Sequence, residues 1–211
     1  MSRPLILVGG GGHCKSVIEA AESAGFTIKG VLDMPEHLGQ RILNTQVIGC
    51  DDNITDYVNE CDFVITLGFI KNPSVRIKLH ERLEREGGRL ATIVASTAHV
   101  SKYADIGVGT VVLHGAMVNA GAQIGKGCII NTLSNIEHDA VIGNYCHIST
   151  GAMVNGDCKV GDNTFLGSQS VMVNATSIPA NSVFAAGCMI RKSQKVEGVY
   201  AGNPAVLMIK K

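Results

Sequence analysis

The feature that most constrains this chain is a six-residue period that runs without interruption from Val94 to Val196. Every sixth residue is apolar, and the phase never slips. The residue four positions later is Ala, Ser, Thr or Cys from Ala98 to Cys188, and only Gln194 breaks the rule. A fixed short period of this length is typical of a solenoid, in which each repeat packs against its neighbours.

A period of six fits neither a helical face nor a simple amphipathic strand. It predicts a short flat strand followed by a tight corner, and three such units close a triangular coil of about 18 residues. Repeats of this kind resemble the left-handed parallel β-helix. A β-sandwich is the alternative, although its turns are irregularly spaced. We expect the corners to need positive φ. Candidate corner residues are Gly107, Asn119, Gly125, Gly143, Asn155 and Gly161.

Composition limits which binding partners and which cellular compartment are expected. The 211 residues carry 18 Lys and Arg against 18 Asp and Glu, so charge gives no reason to expect nucleic acid or an acidic membrane as a partner. A strand-like run beginning at Leu5 leaves no room for a signal peptide, and no apolar run is long enough to span a bilayer. Four of the seven Cys occupy the small position of the repeat. A cytoplasmic protein without metal-ligand cysteines is predicted.

The region before the repeat predicts a small Rossmann-like α/β domain. Strands expected at 5–8, 28–32 and 63–67 alternate with helices expected at 14–24, 54–60 and 74–86, which is typical of a parallel sheet. The predicted organisation is therefore an α/β domain over 1–93, a β-helix over 94–197 and a C-terminal tail over 198–211.

A glycine-rich turn, Gly9 to Gly12, joins the first strand to the first helix. Such a turn lets the backbone approach a phosphate at the helix N-terminus. Asp33, at the end of the second strand, suits a ribose or a base. Cys14 replaces the third glycine of the dinucleotide pattern, and the domain is too short for two mononucleotide halves. A site for one nucleotide is predicted, and a purely structural turn is the alternative.

Outward positions of the repeat form three columns at a spacing of 18 residues. The columns that contain His147 and His99 are largely apolar, and the column that contains Asp105 is polar. A cyclic homotrimer predicts this pattern, because each prism would touch two neighbours and leave one face wet. His147 is accordingly expected near a subunit boundary.

A polar segment from Asn131 to Asp139 places His138 between Glu137 and Asp139 at a corner. A carboxylate beside an imidazole orients the ring and raises its basicity, as a general base requires. The alternative is a solvated corner with incidental charge.

The same segment carries a family resemblance that covers nearly the whole chain. The chain resembles the bacterial sugar O/N-acyltransferases of the left-handed β-helix superfamily, above all the N-acetyltransferases of UDP-4-amino-sugars (the bacillosamine pathway) and their sialic acid O-acetyltransferase relatives. The matching segments are the glycine turn ending in His13, Asp33, Gly68, 130–132, 137–139, 141–143, 147–149 and 198–205.

The resemblance implies a role for each matching residue. His138 is the general base, and Asp139 raises its basicity. Gly11, Gly12, His13, Asp33 and Gly68 hold the nucleotide end of the sugar substrate, Asn131 lies beside the sugar, and His147, Gly156, Ser168 and Ala186 border the acetyl-CoA groove. The chain departs from the family at two places. Met34 replaces a second acid, which affects recognition of the nucleotide base, and Ala185-Ala186 replaces two glycines, which affects contact with CoA.

The implied reaction is direct, metal-free transfer of an acetyl group from acetyl-CoA to the 4-amino group of a UDP-linked amino-deoxysugar, at active sites between subunits of a homotrimer. O-acetylation of a sialic-acid-type hydroxyl is the alternative. A trimeric zinc enzyme of the carbonic anhydrase type is remote, because His114, His138 and His147 form no close pair. No basic loop of a nucleotidyltransferase opens the chain.

Overall fold

The computed structural model describes residues 3–210. An α/β domain is followed by a solenoid of stacked triangular coils, as the period predicts. Residues 1, 2 and 211 lie outside the described residues. They belong to the predicted α/β domain, 1–93, and to the predicted C-terminal tail, 198–211. The boundary at 93/94 stays a prediction; the first solenoid strand begins at Ile93.

The N-terminal sheet has six strands in the order β3-β4-β2-β1-β5-β6. All neighbours pair in parallel except β3 and β4, which form an antiparallel hairpin. The sequence predicts its second strand, at 46–49, but not its first. The predicted strands at 5–8 and 28–32 are confirmed. The strands are β1 Leu5–Val8, β2 Ile28–Leu32, β3 Arg41–Ile42, β4 Thr45–Gly49, β5 Asp62–Ile65 and β6 Arg89–Leu90.

Helices cover both sides of this sheet. They are α1 Gly12–Ser23, α2 Ile54–Tyr57 and α3 Ser74–Arg85, with 3-10 turns at Pro35–His37 and Asp51–Asn53. The buried residues of α1 pack in one cluster with Leu5 and Leu7 of the sheet and with Val111 and Ile129 of the solenoid. Helix α1 is therefore the layer that joins the two parts of the chain.

The solenoid is built from two-residue strands that pair in parallel with the strands 18 positions away. These strands are β7 Ile93–Val94, β8 His99–Val100, β9 Asp105–Ile106, β10 Val111–Val112, β11 Met117–Val118, β12 Gln123–Ile124, β13 Ile129–Ile130, β14 Asn135–Ile136, β15 Val141–Ile142, β16 His147–Ile148, β17 Met153–Val154, β18 Lys159–Val160, β19 Phe165–Leu166, β20 Val171–Met172, β21 Ser177–Ile178, β22 Val183–Phe184 and β23 Met189–Ile190.

Three flat faces result. The first face contains every third strand from β7 to β22, the second contains β8 to β23, and the third contains β9 to β21. The first–second edge consists of residues 113–116 and their equivalents every 18 residues, and the second–third edge of 119–122 and theirs. The third–first edge consists of 107–110 and theirs.

The corners turn through the left-handed region, but not at the residues that the sequence analysis selected. Every sixth residue from Gly109 to Gly187 has positive φ, including Leu133, Asp139 and Tyr145. The expected positions Gly107, Asn119, Gly125, Gly143, Asn155 and Gly161 do not. The glycines at these positions are required by close packing between coils. A Cβ at Gly107 would lie 2.4 Å from the backbone of Gly125 in the next coil.

The N-terminal domain covers the first face. In that face's outward column Val111 and Ile129 are fully buried and His147 is 8 % exposed. One of the two apolar columns therefore packs within the chain, which corrects the expectation that both face neighbouring subunits. The second face remains open, with Met117 40 % and Met153 41 % exposed.

The predicted C-terminal tail is a hairpin. Strand β24, Gly198–Ala201, adds to the first face beside β22, and β25, Val206–Lys210, pairs with it antiparallel. Tyr200 stacks on Phe184 with ring centroids 4.6 Å apart. The hairpin thus closes the apolar interior at that end of the solenoid.

A buried arginine fastens the two parts of the chain. Arg76 of α3 is 2 % exposed. Its guanidinium donates to the carbonyls of Ile65 (2.6 Å) and Leu67 (3.1 Å) in the N-terminal domain, and to Gly127 (2.9 Å) and Gly109 (3.5 Å) in the solenoid. Burial lowers its pKa to about 10, so it stays charged at neutral pH. Only a forked, planar donor suits carbonyls from both sides.

We expect Arg76→Met to lower the free energy of unfolding by about 3 kcal/mol or more, because several buried carbonyls lose their donor. Arg85→Met, on the exposed side of the same helix, is the matched control and should change it by less than about 0.5 kcal/mol. Denaturant unfolding of both variants checks this, and equal effects would contradict the assignment.

Candidate active site

The carboxyl ends of the parallel N-terminal strands open onto a crevice. Residues that follow β1, β2, β4 and β5 meet there, as expected for ligand sites in open α/β sheets. One part, of about 500 Å³, is lined by Asp33, Met34, Cys50, Asp51 and Leu67 among others. Burial raises the pKa of the Asp51 carboxyl. The adjoining part, of about 320 Å³, reaches the glycine turn.

The glycine turn and Asp33 form one unit. A Cβ at Gly10 would lie 2.2 Å from Asp33 Oδ2, so only glycine leaves room for this carboxylate. The same oxygen accepts from Nδ1 of His37 at 2.7 Å. Gly11 and Gly12 are exposed at the start of α1, with no atom near where their side chains would lie. The backbone there is open to an anion.

Two histidines connect this crevice to the solenoid. His13 lies against Gly68, and its ring centroid is 6.4 Å from that of His147. Burial lowers the pKa of His13 to about 3 and that of His147 to about 4, so both are neutral at pH 7. Because the Phe69 carbonyl only accepts, Nδ1 of His147 donates to it (2.8 Å).

That tautomer leaves His147 Nε2 as an acceptor, 3.0 Å from Nδ2 of Asn131. Asn131 Oδ1 accepts from the backbone N–H of Thr132 at 2.8 Å. Asn131 is therefore held at the first–second edge with one amide hydrogen unused by these contacts. His147 is covered by Phe69 of its own chain, and its expected place near a subunit boundary stays a prediction.

His138 and Asp139 lie at the second–third edge. His138 Nδ1 and Asp139 Oδ2 are 2.9 Å apart, and both side chains are more than half exposed. The hydrogen bond to Asp139 raises the pKa of His138, and the charges of Asp139, Asp157 and Glu137 act in the same direction. With Nδ1 committed to the carboxylate, Nε2 is the nitrogen available to a substrate.

Glycines fit this pair closely. A Cβ at Gly156 would lie 2.6 Å from His138 Nε2, and a Cβ at Gly121 would lie 2.4 Å from Asp139 Oδ1. Within residues 3–210 the Gly156 amide donates no hydrogen bond to another backbone or side-chain group. A free N–H thus lies directly beside the base.

The remaining predicted residues lie at the first–second edge. Ser168 Oγ is 3.0 Å from Ser149 Oγ, and Ala186 is exposed one coil further along. The structure thus groups the predicted residues in two places. Asn131, His147, Ser168 and Ala186 lie on or next to the first–second edge, where His147 contacts the N-terminal domain, while His138, Asp139 and Gly156 lie at the second–third edge, across the second face.

The sequence analysis missed several residues that shape the candidate site. Phe69 fixes the His147 tautomer, His37 fixes Asp33, and Asp51 lines the crevice. The spacing of four residues between Asp33 and His37 was a usable signal for that pair. No local signal connects Phe69 with His147, which are 78 residues apart.

Two features are absent from the part of the chain that the structure describes. Across residues 3–210, no three His, Cys, Asp or Glu side chains gather into a group suited to a metal ion. In that same part, no helix combines the length and apolar character needed to cross a membrane.

Comparison with known proteins agrees with this architecture. The PglD N-terminal domain family matches residues 4–83, and the bacterial transferase hexapeptide (six repeats) family matches 121–156 and 139–174. No curated protein sequence matched significantly.

Solved structures match over almost the whole chain. The acetyltransferase domain of PglB from Neisseria gonorrhoeae is 27 % identical, with a TM-score of 0.90, over 98 % of this chain and 100 % of that one. Its complex with acetyl coenzyme A superposes with a TM-score of 0.91 over 99 % of this chain and 100 % of that one. PerB from Caulobacter crescentus, solved with CoA and GDP-perosamine, is 27 % identical, with a TM-score of 0.88, over 99 % and 97 % of the two chains.

An α/β domain followed by hexapeptide coils, with a histidine–carboxylate pair at an edge, defines an acetyltransferase of the β-helix type. The chain carries a PglD-type N-terminal domain and transferase hexapeptide repeats, and its structural neighbours include sugar N-acetyltransferases of the left-handed β-helix superfamily. This confirms the resemblance inferred from its sequence.

We expect Asp139→Asn to lower the pKa of His138 toward its ordinary value, because the imidazolium loses its charged partner. The raised pKa means that His138 keeps its proton to higher pH in the native protein than in the variant. Titration of the His138 ring by NMR measures this, with His114 as the internal reference. An unchanged midpoint would contradict the coupling.

Proposed function

We propose that the protein transfers an acetyl group from acetyl-CoA to the 4-amino group of a UDP-linked amino-deoxysugar, with His138 as the general base. The observation that carries the proposal is the His138–Asp139 pair, 2.9 Å apart, beside the free Gly156 amide. It holds a base and an N–H donor at one point, as acyl transfer requires.

The N-terminal crevice supplies the sugar nucleotide site in this proposal. Gly11 and Gly12 at the start of α1 bind phosphate through backbone N–H groups. Asp33 accepts from the nucleoside, and the neutral His13 and Gly68 border the sugar end. Asn131, oriented by His147, offers its remaining N–H to the sugar. Solved relatives hold acetyl coenzyme A, or CoA with GDP-perosamine, which supports a nucleotide-linked amino sugar.

The chemistry balances without a covalent enzyme intermediate. The lone pair of the neutral 4-amine attacks the thioester carbonyl, and His138 Nε2 takes a proton from the attacking nitrogen. The Gly156 N–H stabilises the oxyanion. The intermediate collapses, the C–S bond breaks, and the imidazolium returns its proton to the leaving thiolate. The four cysteines in the repeat are free and buried, so none of these four is placed to act as a nucleophile beside His138.

The distance between the two groups of residues favours a homotrimer. Asn131 and His138 lie on opposite edges of the second face, up to about 20 Å apart along extended chain. General-base catalysis requires contact at about 3 Å. If the second faces meet around a three-fold axis, the first–second edge of one copy approaches the second–third edge of the next. Sugar and base would then come from different copies.

Ser168 and Ala186 at the first–second edge and Gly156 at the second–third edge would border the acetyl-CoA groove between two copies. His147 contributes indirectly, through Asn131. Free cysteines and the two soluble substrates favour the cytoplasm as the site of the reaction.

We expect His138→Ala to lower turnover by about 10²–10⁴, the usual contribution of a general base, with the fold unchanged. Thiol release from acetyl-CoA is measured against a UDP-4-amino-4,6-dideoxysugar, the matching GDP- and dTDP-sugars, and free sialic acid. His114→Ala, a histidine one coil away at the other edge, is the matched control.

Turnover with the UDP-sugar, lost in His138→Ala and kept in His114→Ala, supports the proposal. Turnover with a GDP- or dTDP-sugar alone would overturn the choice of nucleotide. Turnover with sialic acid alone would reassign the enzyme to O-acetylation. Wild-type turnover in His138→Ala would overturn the role of His138.

We expect the double variant Met117→Glu/Met153→Glu to dissociate the trimer, because it places charge on the second face. Activity should fall by about 100-fold or more, because His138 is then separated from the sugar site of the neighbouring copy. The matched control is Gln123→Glu with Lys159→Glu on the third face. Sedimentation velocity gives the oligomeric state, and a monomeric wild-type enzyme would contradict the assembly. Co-expressing His138→Ala with Asp33→Ala should restore part of the activity through hybrid sites.

A further inference from the structure

Asp33 lies where the two parts of the N-terminal crevice meet. Its side chain lines both the larger part, of about 500 Å³, and the smaller part, of about 320 Å³. The larger part has apolar walls that include Leu67, Val75 and Leu79, and these suit the flat face of a nucleoside base. The smaller part reaches Gly11, where the backbone is open to phosphate. Because ribose lies between base and phosphate in every nucleotide, a nucleotide bound along the crevice brings its ribose to Asp33.

The Asp33 carboxylate is held in one orientation. His37 Nδ1 lies 2.7 Å from Asp33 Oδ2, and a carboxylate only accepts, so the imidazole donates. The same oxygen packs directly over Gly10. The backbone N–H of Asp33 donates to the Gly49 carbonyl at 3.0 Å, which fixes the main chain. No group among residues 3–210 donates to the other oxygen, Oδ1, so this oxygen is the one available to a ligand.

Local structure places His37 beside Asp33. The 3-10 turn Pro35–His37 follows β2 closely, and the backbone N–H of His37 donates to the Met34 carbonyl at 2.9 Å. This turn brings the side chain four residues after Asp33 back onto its carboxylate. The His37 side chain is 41 % exposed, against 15 % for Asp33. His37 therefore supports the acid from the solvent side, and a substitution there disturbs little of the packing.

We propose that His37 is a positioning residue that makes the crevice select ribonucleotides over 2′-deoxyribonucleotides. The proposal rests on the proposed function, in which Asp33 accepts from the nucleoside. With Oδ2 held by His37, Asp33 presents Oδ1 to the ribose 2′-hydroxyl. A 2′-deoxyribose covers the same oxygen without giving it a donor, and a site built to bind a hydroxyl rejects the analogue that lacks it. The pair would thus favour UDP-linked over dTDP-linked sugars.

The test measures the preference for the 2′-hydroxyl directly. Titration calorimetry gives the Kd values of UDP and dUDP, and of GDP and dGDP, so that the members of each pair differ only in that hydroxyl. Wild-type protein is compared with His37→Ala and with His37→Asn, whose Nδ2 takes the place of Nδ1 and keeps the donor. Glu36→Ala, at an exposed position of the same turn, is the matched control, and melting temperatures check the fold of each variant.

We expect wild-type protein to bind the ribonucleotide of its preferred pair about 10-fold or more tighter than the 2′-deoxy form. In His37→Ala this ratio should fall to about 3-fold or less, because only ribonucleotide binding is weakened. His37→Asn should recover most of the ratio, and Glu36→Ala should keep it. With the UDP-4-amino-4,6-dideoxysugar as acceptor, His37→Ala should raise KM by about 5-fold and change kcat by less than about 2-fold.

A wild-type ratio near unity, or an equal loss of affinity for both members of a pair in His37→Ala, would overturn this inference and leave the proposed acetyl transfer standing. Failure of His37→Asn to recover the ratio would overturn the positioning role, since the imidazole would then act by touching the nucleotide itself. Wild-type protein that binds none of these nucleotides would overturn the inference together with the nucleotide site of the proposed function.

Discussion

Everything in this molecule depends on a backbone that turns into the left-handed region at every sixth residue from Gly109 to Gly187. Non-glycine residues accept this turn at a cost of about 1 kcal/mol each. In return the coils stack in register, and each corner repeats the geometry of the last. Asp139 is one of these residues, and its φ of 58° accompanies the 2.9 Å contact between its carboxylate and His138. The turn that builds the solenoid thus also sets the geometry of the proposed catalytic pair.

The second feature that determines the architecture is the burial of one solenoid face by the N-terminal domain of the same chain. Helix α1 packs between the parallel sheet and the first face, so Val111 and Ile129 are buried without any partner subunit. That packing fixes the N-terminal crevice near the first–second edge, through His13 and His147. It also leaves His138 across the second face from this crevice. This separation is the reason that the proposed site is shared between copies.

The junction between the domains is polar as well as apolar. Arg76 satisfies carbonyls on both sides, and His147 donates to Phe69. Burial keeps His13 and His147 neutral, so the junction contains acceptors and donors but little charge other than Arg76. Directional hydrogen bonds of this kind favour one relative position of the two domains, so the crevice of the N-terminal domain keeps a fixed position relative to the edge of the solenoid.

Sequence alone determined the parts of the fold that repeat. The six-residue period predicted the strands, the columns and the triangular coil, because each coil contacts only the next and the pattern is local. The glycine turn and the contact between His138 and Asp139 could also be predicted, since each involves residues that are neighbours in the chain, while their functional roles stay proposals. Tertiary structure decided which face is covered, which residues take positive φ, and that Phe69 and Arg76 matter. The contacts of Phe69 and Arg76 join residues far apart in the chain, so no local pattern records them, whereas the positive-φ positions repeat every six residues but at a different place in the repeat from the one expected.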